Sequence, residues 1–213
     1  NPGDFSSKYL IFERINTGSE KLNGMQIRKS LAYGAFMESL YDAASRSEKY
    51  LSLFTSTQIK KDLHVEAFLR VLAMSDIYYG KFKSSKQGIK NILDEYGEQK
   101  KSEIISEEVI SKLFYSLDQL LELFEPKKLF RRVNANRDIE GILNFGILES
   151  LLGVMVFGGY KLPDKFNEKY INYMGQLFDG YLLDESHNPF STSTGSVLSI
   201  KKRFEIFEGI LEK

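Results

Sequence analysis

The side chains able to do chemistry are few in kind in this chain, and their spacing narrows the choice further. His64 and His187 stand alone, outside any H-E-x-x-H, H-x-H or H-N-H pattern, so a metal site built on them needs carboxylates that only the fold can bring. They are expected as helix-start or loop residues, and no metal site is expected. The chain has no cysteine, which removes thiolate nucleophiles, disulfides and Cys-ligated zinc. That composition fits a reducing compartment, and a cytoplasmic location is the expectation. Serines are plentiful, but none sits in G-x-S-x-G, and neither histidine has a neighbour that would make it a general base. The phosphate-cradling patterns G-x-x-x-x-G-K-S/T and G-x-G-x-x-G do not occur either.

Arginine placement says more. If 62–79 forms one helix, Arg70 shares a face with Leu63, Ala67, Met74 and Ile77, all apolar. Arg28 has Met25, Leu31 and Ala32 at helical contact distance. An arginine on an apolar face is costly unless it snorkels, pairs with a carboxylate or meets an anion. Two readings are open: structural ion pairs with Asp or Glu of another helix, or a phosphate or nucleotide site shared by such arginines. A second candidate is the basic run Lys127, Lys128, Arg131, Arg132 and Arg137, with no acid inside it and Glu125 and Asp138 at its borders. It could track a nucleic-acid backbone or form a solvated loop. The third is the Ser/Thr/Gly-rich stretch 188–207, whose turn into a helix either offers amides to an anion or simply caps that helix.

The elements that must position these residues read as helices. Four prolines, at 2, 126, 163 and 189, leave long uninterrupted stretches, and apolar residues recur at three and four rather than two. Phe5, Tyr9 and Phe12 make one stripe, ended by Gly18. Asn23 is positioned to cap a helix carrying Leu31, Ala32, Ala35, Phe36 and Leu40. Helices are further predicted over 62–79, more weakly over 86–96, and most clearly over 106–124, with "GEQKKSE" a charged connection. The segment 138–157 is nearly apolar all round and should be the central buried helix. Another helix should start at Pro163 and Asp164, and a last one be capped by Ser193 or Thr194. Together these imply an all-α, single helical domain over 1–213, an irregular bundle of about seven to nine helices.

Composition sets outer bounds. Twenty-nine Lys and Arg balance 29 Asp and Glu, so the whole molecule is not an electrostatic footprint for nucleic acid or anionic lipid. The nearest approach to the roughly 20 apolar residues of a membrane span is 147–160, interrupted by Glu149 and Ser150, so no membrane is expected as a partner. The N-terminus lacks the basic start and apolar run of a signal peptide. It begins at Asn1, and a piece of a longer protein is the expectation.

The stretch "IFERINTGSEKLNGMQIRKSLAYGAF" resembles the second signature, F-x-R-x-N-x-x-G, of the GmrSD-type restriction endonuclease N-terminal domain family, the domain of unknown function 262. Phe12, Arg14 and Asn16 match it, Gly18 matches the first glycine of its common form FxRINTGG, and Leu22, Ile27, Arg28 and Phe36 match the family's positions just downstream. Ser19 stands where a second glycine is usual and Gln26 where Glu is common. "KKDLHVEAFLRVLAMSD" resembles the next helical block and puts Arg70 on a characteristic arginine. The signature region spans 1–80, and 81–213 continues it by helix pattern alone. The resemblance implies a helical half that works beside a ParB-like α/β half carrying D-G-Q-Q-R, in nucleotide-dependent restriction of foreign or modified DNA. An H-N-H nuclease is often found downstream in such proteins. Neither D-G-Q-Q-R nor a nuclease motif occurs in these 213 residues. By this resemblance Arg14, Asn16, Gly18, Arg28 and Arg70 belong to a composite nucleotide site. An NTP with Mg is then the cofactor of the full-length protein, with none held by this chain, and no turnover is expected from this chain alone. The alternative expectation is a non-catalytic helical module that binds nucleic acid or a partner protein through Lys127, Lys128, Arg131, Arg132 and Arg137.

Overall fold

A computed structural model describes residues 11, 22–178, 188–191 and 193–213. Among them the chain forms ten helices and one two-stranded hairpin. In chain order these are α1 (Gly24–Leu31), α2 (Ala35–Ser45), α3 (Glu48–Leu51), α4 (Ser56–Lys60), α5 (Leu63–Tyr78), α6 (Ile89–Gln99) and α7 (Glu107–Leu123), then β1 (Arg132–Val133) and β2 (Ile139–Glu140), then α8 (Phe145–Gly158), α9 (Phe166–Phe178) and α10 (Val197–Ile210). The fold is an irregular all-α bundle. The stripe from Phe5 to Phe12 lies outside the described residues.

Its centre is the pair α5 and α8, which pack along most of their lengths, with α10 and α7 laid on α8 and α2 and α6 on α5. Every residue of α8 from Ile147 to Val156 is buried, as is most of α5. A helix apolar on all sides gains nothing from facing water, so it takes the middle of the bundle. Around Tyr50 an aromatic cluster of Phe54, Phe68 and Phe114 closes one end, and the Tyr50 hydroxyl donates to the His64 carbonyl at 2.6 Å. Among the described residues no helix is long and apolar enough to cross a membrane.

Local signals set most helix starts. Asn23 caps α1 with a reciprocal box to Gln26, Thr55 does the same for α4 with Gln58, and Ser106 caps α7. Four expectations are corrected. The helix expected from Asn23 through Leu40 is two helices: α1 closes at Ala32, and Gly34, extended and packed so closely on the Lys101 carbonyl that a Cβ would lie 2.6 Å from it, leads α2, whose Phe36 N–H then bonds that carbonyl at 3.2 Å. The helix expected over 138–157 begins only at Phe145. Before it, Asn134 Oδ1 accepts from the amides of Asn136 and Asp138, and the turn so closed pairs β1 with β2, Arg132 opposite Glu140. The helix after Pro163 starts at Phe166. The last helix is capped by Ser196, whose Oγ accepts from Ser199 N–H, rather than by Ser193 or Thr194.

Gly153 marks a close passage of α8 against two neighbours at once. A Cβ there would lie 2.5 Å from Ser75 Oγ on α5 and 2.6 Å from Phe204 Cε1 on α10. Alanine favours helix over glycine by about 1 kcal/mol, but overpacking a core costs about 1–3 kcal/mol. Gly153→Ala should therefore lower the urea midpoint. Gly209→Ala, on the exposed side of α10 with nothing within 4 Å, should raise it slightly.

Candidate functional site

The two arginines that the sequence places on apolar faces meet in the interior. Arg28 on α1 is 2% exposed. Its Nε donates to Asp94 Oδ1 of α6 at 2.6 Å, its Nη2 to the Lys90 carbonyl at 3.4 Å, and its Nη1 lies 3.5 Å from Glu66 Oε2. Glu66, one turn before Arg70 on α5, accepts from Arg70 Nε and Nη2 at 3.1 and 2.9 Å through its other oxygen. Arg70 Nη1 then reaches toward Glu149 Oε2 of α8 at 3.7 Å, while its guanidinium sits over the Phe145 ring. Glu149 is fully buried, and its Oε1 accepts from Nη2 of the equally buried Arg203 on α10. Arg203 Nη1 finishes the line by donating to the carbonyls of Pro189 and Thr194 at 3.0 and 2.9 Å.

The result is one file of alternating charges: Asp94, Arg28, Glu66, Arg70, Glu149, Arg203. Three guanidinium groups face three carboxylates across five helices, so the interior charge sums to zero. Burial raises the Asp94 pKa, and the adjacent Arg28 charge and hydrogen bond pull against that rise. Arginines hold their protons throughout the physiological range, so the file suits charge placement and anion recognition rather than proton transfer. Beside Arg70 it borders a cavity of about 420 Å³ whose lining includes Arg132, Asn144, Gly146, Glu149 and Arg203.

Of the predicted site residues, Arg28 and Arg70 come together, bridged by Glu66. Arg14, Asn16 and Gly18 lie outside the described residues, as does His187. The basic run is spread over the turn after Pro126 and the hairpin. Lys127 and Lys128 are exposed there; Arg131 donates to the Lys127 and Gly141 carbonyls, and Arg137 to the Ala135 carbonyl. Exposed Asp138 and Glu140 share that hairpin with Arg132, so its field is mixed in sign. The Ser/Thr/Gly stretch serves as a cap and as the carbonyl seat of Arg203. His64, near the start of α5, is buried edge-on to Phe54 with Nδ1 unbonded. No group of three or more His, Asp or Glu that could hold a metal is present among the described residues.

Sequence reasoning missed Glu66, Asp94, Glu149 and Arg203. The signal for Arg203 was available: Ile200, Phe207 and Ile210 stand at helical offsets from it, the same apolar setting that singled out Arg70. Compared with protein families, curated proteins and solved structures, the chain finds no match in any of the three.

Removing one member of a buried pair costs about 3–5 kcal/mol because the other charge stays stranded. Arg203→Met should therefore be strongly destabilising, and Arg203→Met with Glu149→Met should recover much of the loss in a chemical-denaturation double-mutant cycle. His64 gives a pH test. Desolvation lowers its pKa below the ordinary 6.5, so the unfolded state binds the proton more readily. Its contribution to stability should be present above about 6.5 and fall with pH down to the depressed native value. Denaturation midpoints against pH should show that slope, and His64→Gln should flatten it.

Proposed function

We propose that the chain is the helical portion of a GmrSD-like, nucleotide-dependent DNA restriction or defence protein, and that Arg14, Asn16 and Gly18 are its contribution to a composite nucleotide site. The observation that carries this reading is the ordered block Phe12, Arg14, Asn16 and Gly18, then Leu22, Ile27, Arg28 and Phe36. In this reading Arg14 neutralises phosphate charge, Asn16 hydrogen-bonds ribose, base or a backbone group, and Gly18 makes the turn. Arg28 acts as a positioning residue: its hydrogen bond to Asp94 and its ion pair with Glu66 hold α1, the helix just after the signature, against α6 and α5. Arg70 supports the same arrangement from α5 through Glu66. An NTP with Mg, a ParB-like half bearing D-G-Q-Q-R, and DNA complete the reading as cofactor and partners.

The test uses the complete gene product. Arg14→Ala should abolish NTP hydrolysis while leaving far-ultraviolet circular dichroism unchanged; retention of full hydrolysis would remove the composite-site reading.

The exposure of Lys127, Lys128 and Arg132 favours a second reading, a helical module that binds nucleic acid without catalysis. Lys127→Glu with Lys128→Glu should then weaken DNA binding and make the log–log salt slope shallower by about 2, near one phosphate contact per lysine. No DNA binding at low salt would count against it.

A further inference from the structure

Another cavity, of about 200 Å³, lies toward the C-terminal end of α5, and neither Arg28 nor Arg70 lines it. Phe36 of α2, Leu72 of α5, Val109 of α7 and Phe157 of α8 give it apolar walls, while Asp76 of α5 and Tyr96 of α6 bring polar groups to it. Its more exposed side carries Lys100 and Glu103, paired with each other at 2.9 Å.

Asp76 is the group in this lining with capacity to spare. It is half-buried, and its Oδ2 accepts the Tyr96 hydroxyl at 2.9 Å. Among the described residues its Oδ1 accepts no hydrogen bond, and the carboxylate makes no ion pair. The side-chain atoms enclosed without a partner all belong to other residues, so Oδ1 keeps an accessible face on a residue that lines the cavity. Two bases at this end of the bundle are engaged elsewhere: Lys100 with Glu103, and Lys81 with its Nζ 5.7 Å from the centre of the Phe157 ring. A carboxylate half withdrawn from water, with one oxygen unbonded and no counter-charge, carries a cost that a cation relieves.

The walls narrow what that cation is. A divalent metal needs several oxygen ligands, and one carboxylate among apolar side chains does not supply them. A guanidinium would bring five N–H donors to a single free oxygen. A primary ammonium spends one N–H on that oxygen and turns the other two toward the open side, and a short apolar body behind it matches the walls. We propose that the cavity binds a small primary amine as its ammonium ion: Asp76 Oδ1 accepts one N–H, Tyr96 holds the carboxylate in place through Oδ2, and Phe36, Leu72 and Phe157 receive the apolar body. The volume, about 200 Å³ against the roughly 300–1,000 Å³ of sites for drug-sized ligands, limits that body to a single ring or a short alkyl chain.

The experiment is calorimetric titration of the 213-residue chain with phenethylamine, with 2-phenylethanol as its uncharged counterpart. Phenethylamine should bind about tenfold or more tighter than the alcohol, because a charge-assisted hydrogen bond replaces a neutral one. Asp76→Asn, which still offers an acceptor to the Tyr96 hydroxyl, should weaken phenethylamine by about tenfold or more and leave 2-phenylethanol within about twofold. Should that variant fail to fold by circular dichroism, Lys100→Gln on the exposed side replaces it, and removal of its positive charge should tighten phenethylamine by about twofold. L-Phenylalanine should bind less tightly than phenethylamine, since its carboxylate would approach Asp76 and Glu103. Nα-acetyllysine N-methylamide, which presents the same ammonium as a protein side chain does, should also bind less tightly, since its long flexible stem must be ordered. Absence of phenethylamine binding at millimolar concentration would overturn the proposal, as would equal affinity for amine and alcohol, wild-type affinity in Asp76→Asn or weakened binding in Lys100→Gln. Tighter binding of phenylalanine or of the lysine derivative would overturn it in favour of an amino acid or a lysine side chain as the occupant. None of these outcomes bears on Arg14, so the amine cavity and the composite nucleotide site stand or fall separately.

Discussion

An ion inside an apolar core must recover, from its neighbours, the solvation it gave up, and each neighbour that supplies it is itself an ion with the same need. From Asp94 to Arg203 that requirement is handed along six side chains, and no member can be satisfied by its own helix alone apart from the Glu66–Arg70 turn on α5. The apolar surfaces of α5, α8 and α10 would tolerate small slides against one another. The file does not, because a shift of one helical turn would set an unpartnered charge in a dry interior. Hydrophobic burial supplies the bulk of the driving force, and the charges select which packing of the same helices is allowed.

How much of this is legible in the sequence depends on the range of the interaction that decides it. Asn23, Thr55, Ser106 and Asn144 all cap through groups within three residues. Asn23 reads as a cap and Ser106 as the head of its helix, and the apolar stripes of α5, α7 and α8 come from spacing alone. The break between α1 and α2 has one local sign, Gly34, but the group that packs against that glycine, the carbonyl of Lys101, comes from some sixty-five residues away. The hairpin is hidden for another reason: two-residue strands carry no alternation to detect, and Asn134 makes the turn with a single side chain. The same division runs through the candidate site. Arg28 and Arg70 can be recognised as misplaced charges from local sequence, while Asp94, Glu66 and Glu149, the groups that place them, come from other turns and other helices. Glu149 is visible only as an interruption in an apolar run.

The zero net charge of the chain has a counterpart in its interior, where positive and negative groups also cancel. Cancellation of the sum still leaves local fields. Near the start of α8 the partial positive charge of the helix end, Arg70 and Arg132 line the same cavity as Glu149. The hairpin carrying Arg132 mixes both signs on a short span, and α9 is tied to it by the Tyr170 hydroxyl donating to the Arg131 carbonyl at 3.2 Å. The neutral composition is thus a balance between helices rather than within them: α1 carries Arg28 and Lys29 with no acid, and α8 carries Glu149 with no base.

The chain order of the charge file has a bearing on how the protein is made. Synthesis proceeds from the N-terminus, so Glu149 leaves the ribosome more than fifty residues ahead of Arg203, the side chain that hydrogen-bonds it. During that interval α8, the most apolar helix of the bundle, carries a carboxylate whose nearest available cation is Arg70. A docking of α8 onto α5 at that stage would leave Glu149 with Arg70 at 3.7 Å in place of the hydrogen bond that Arg203 supplies.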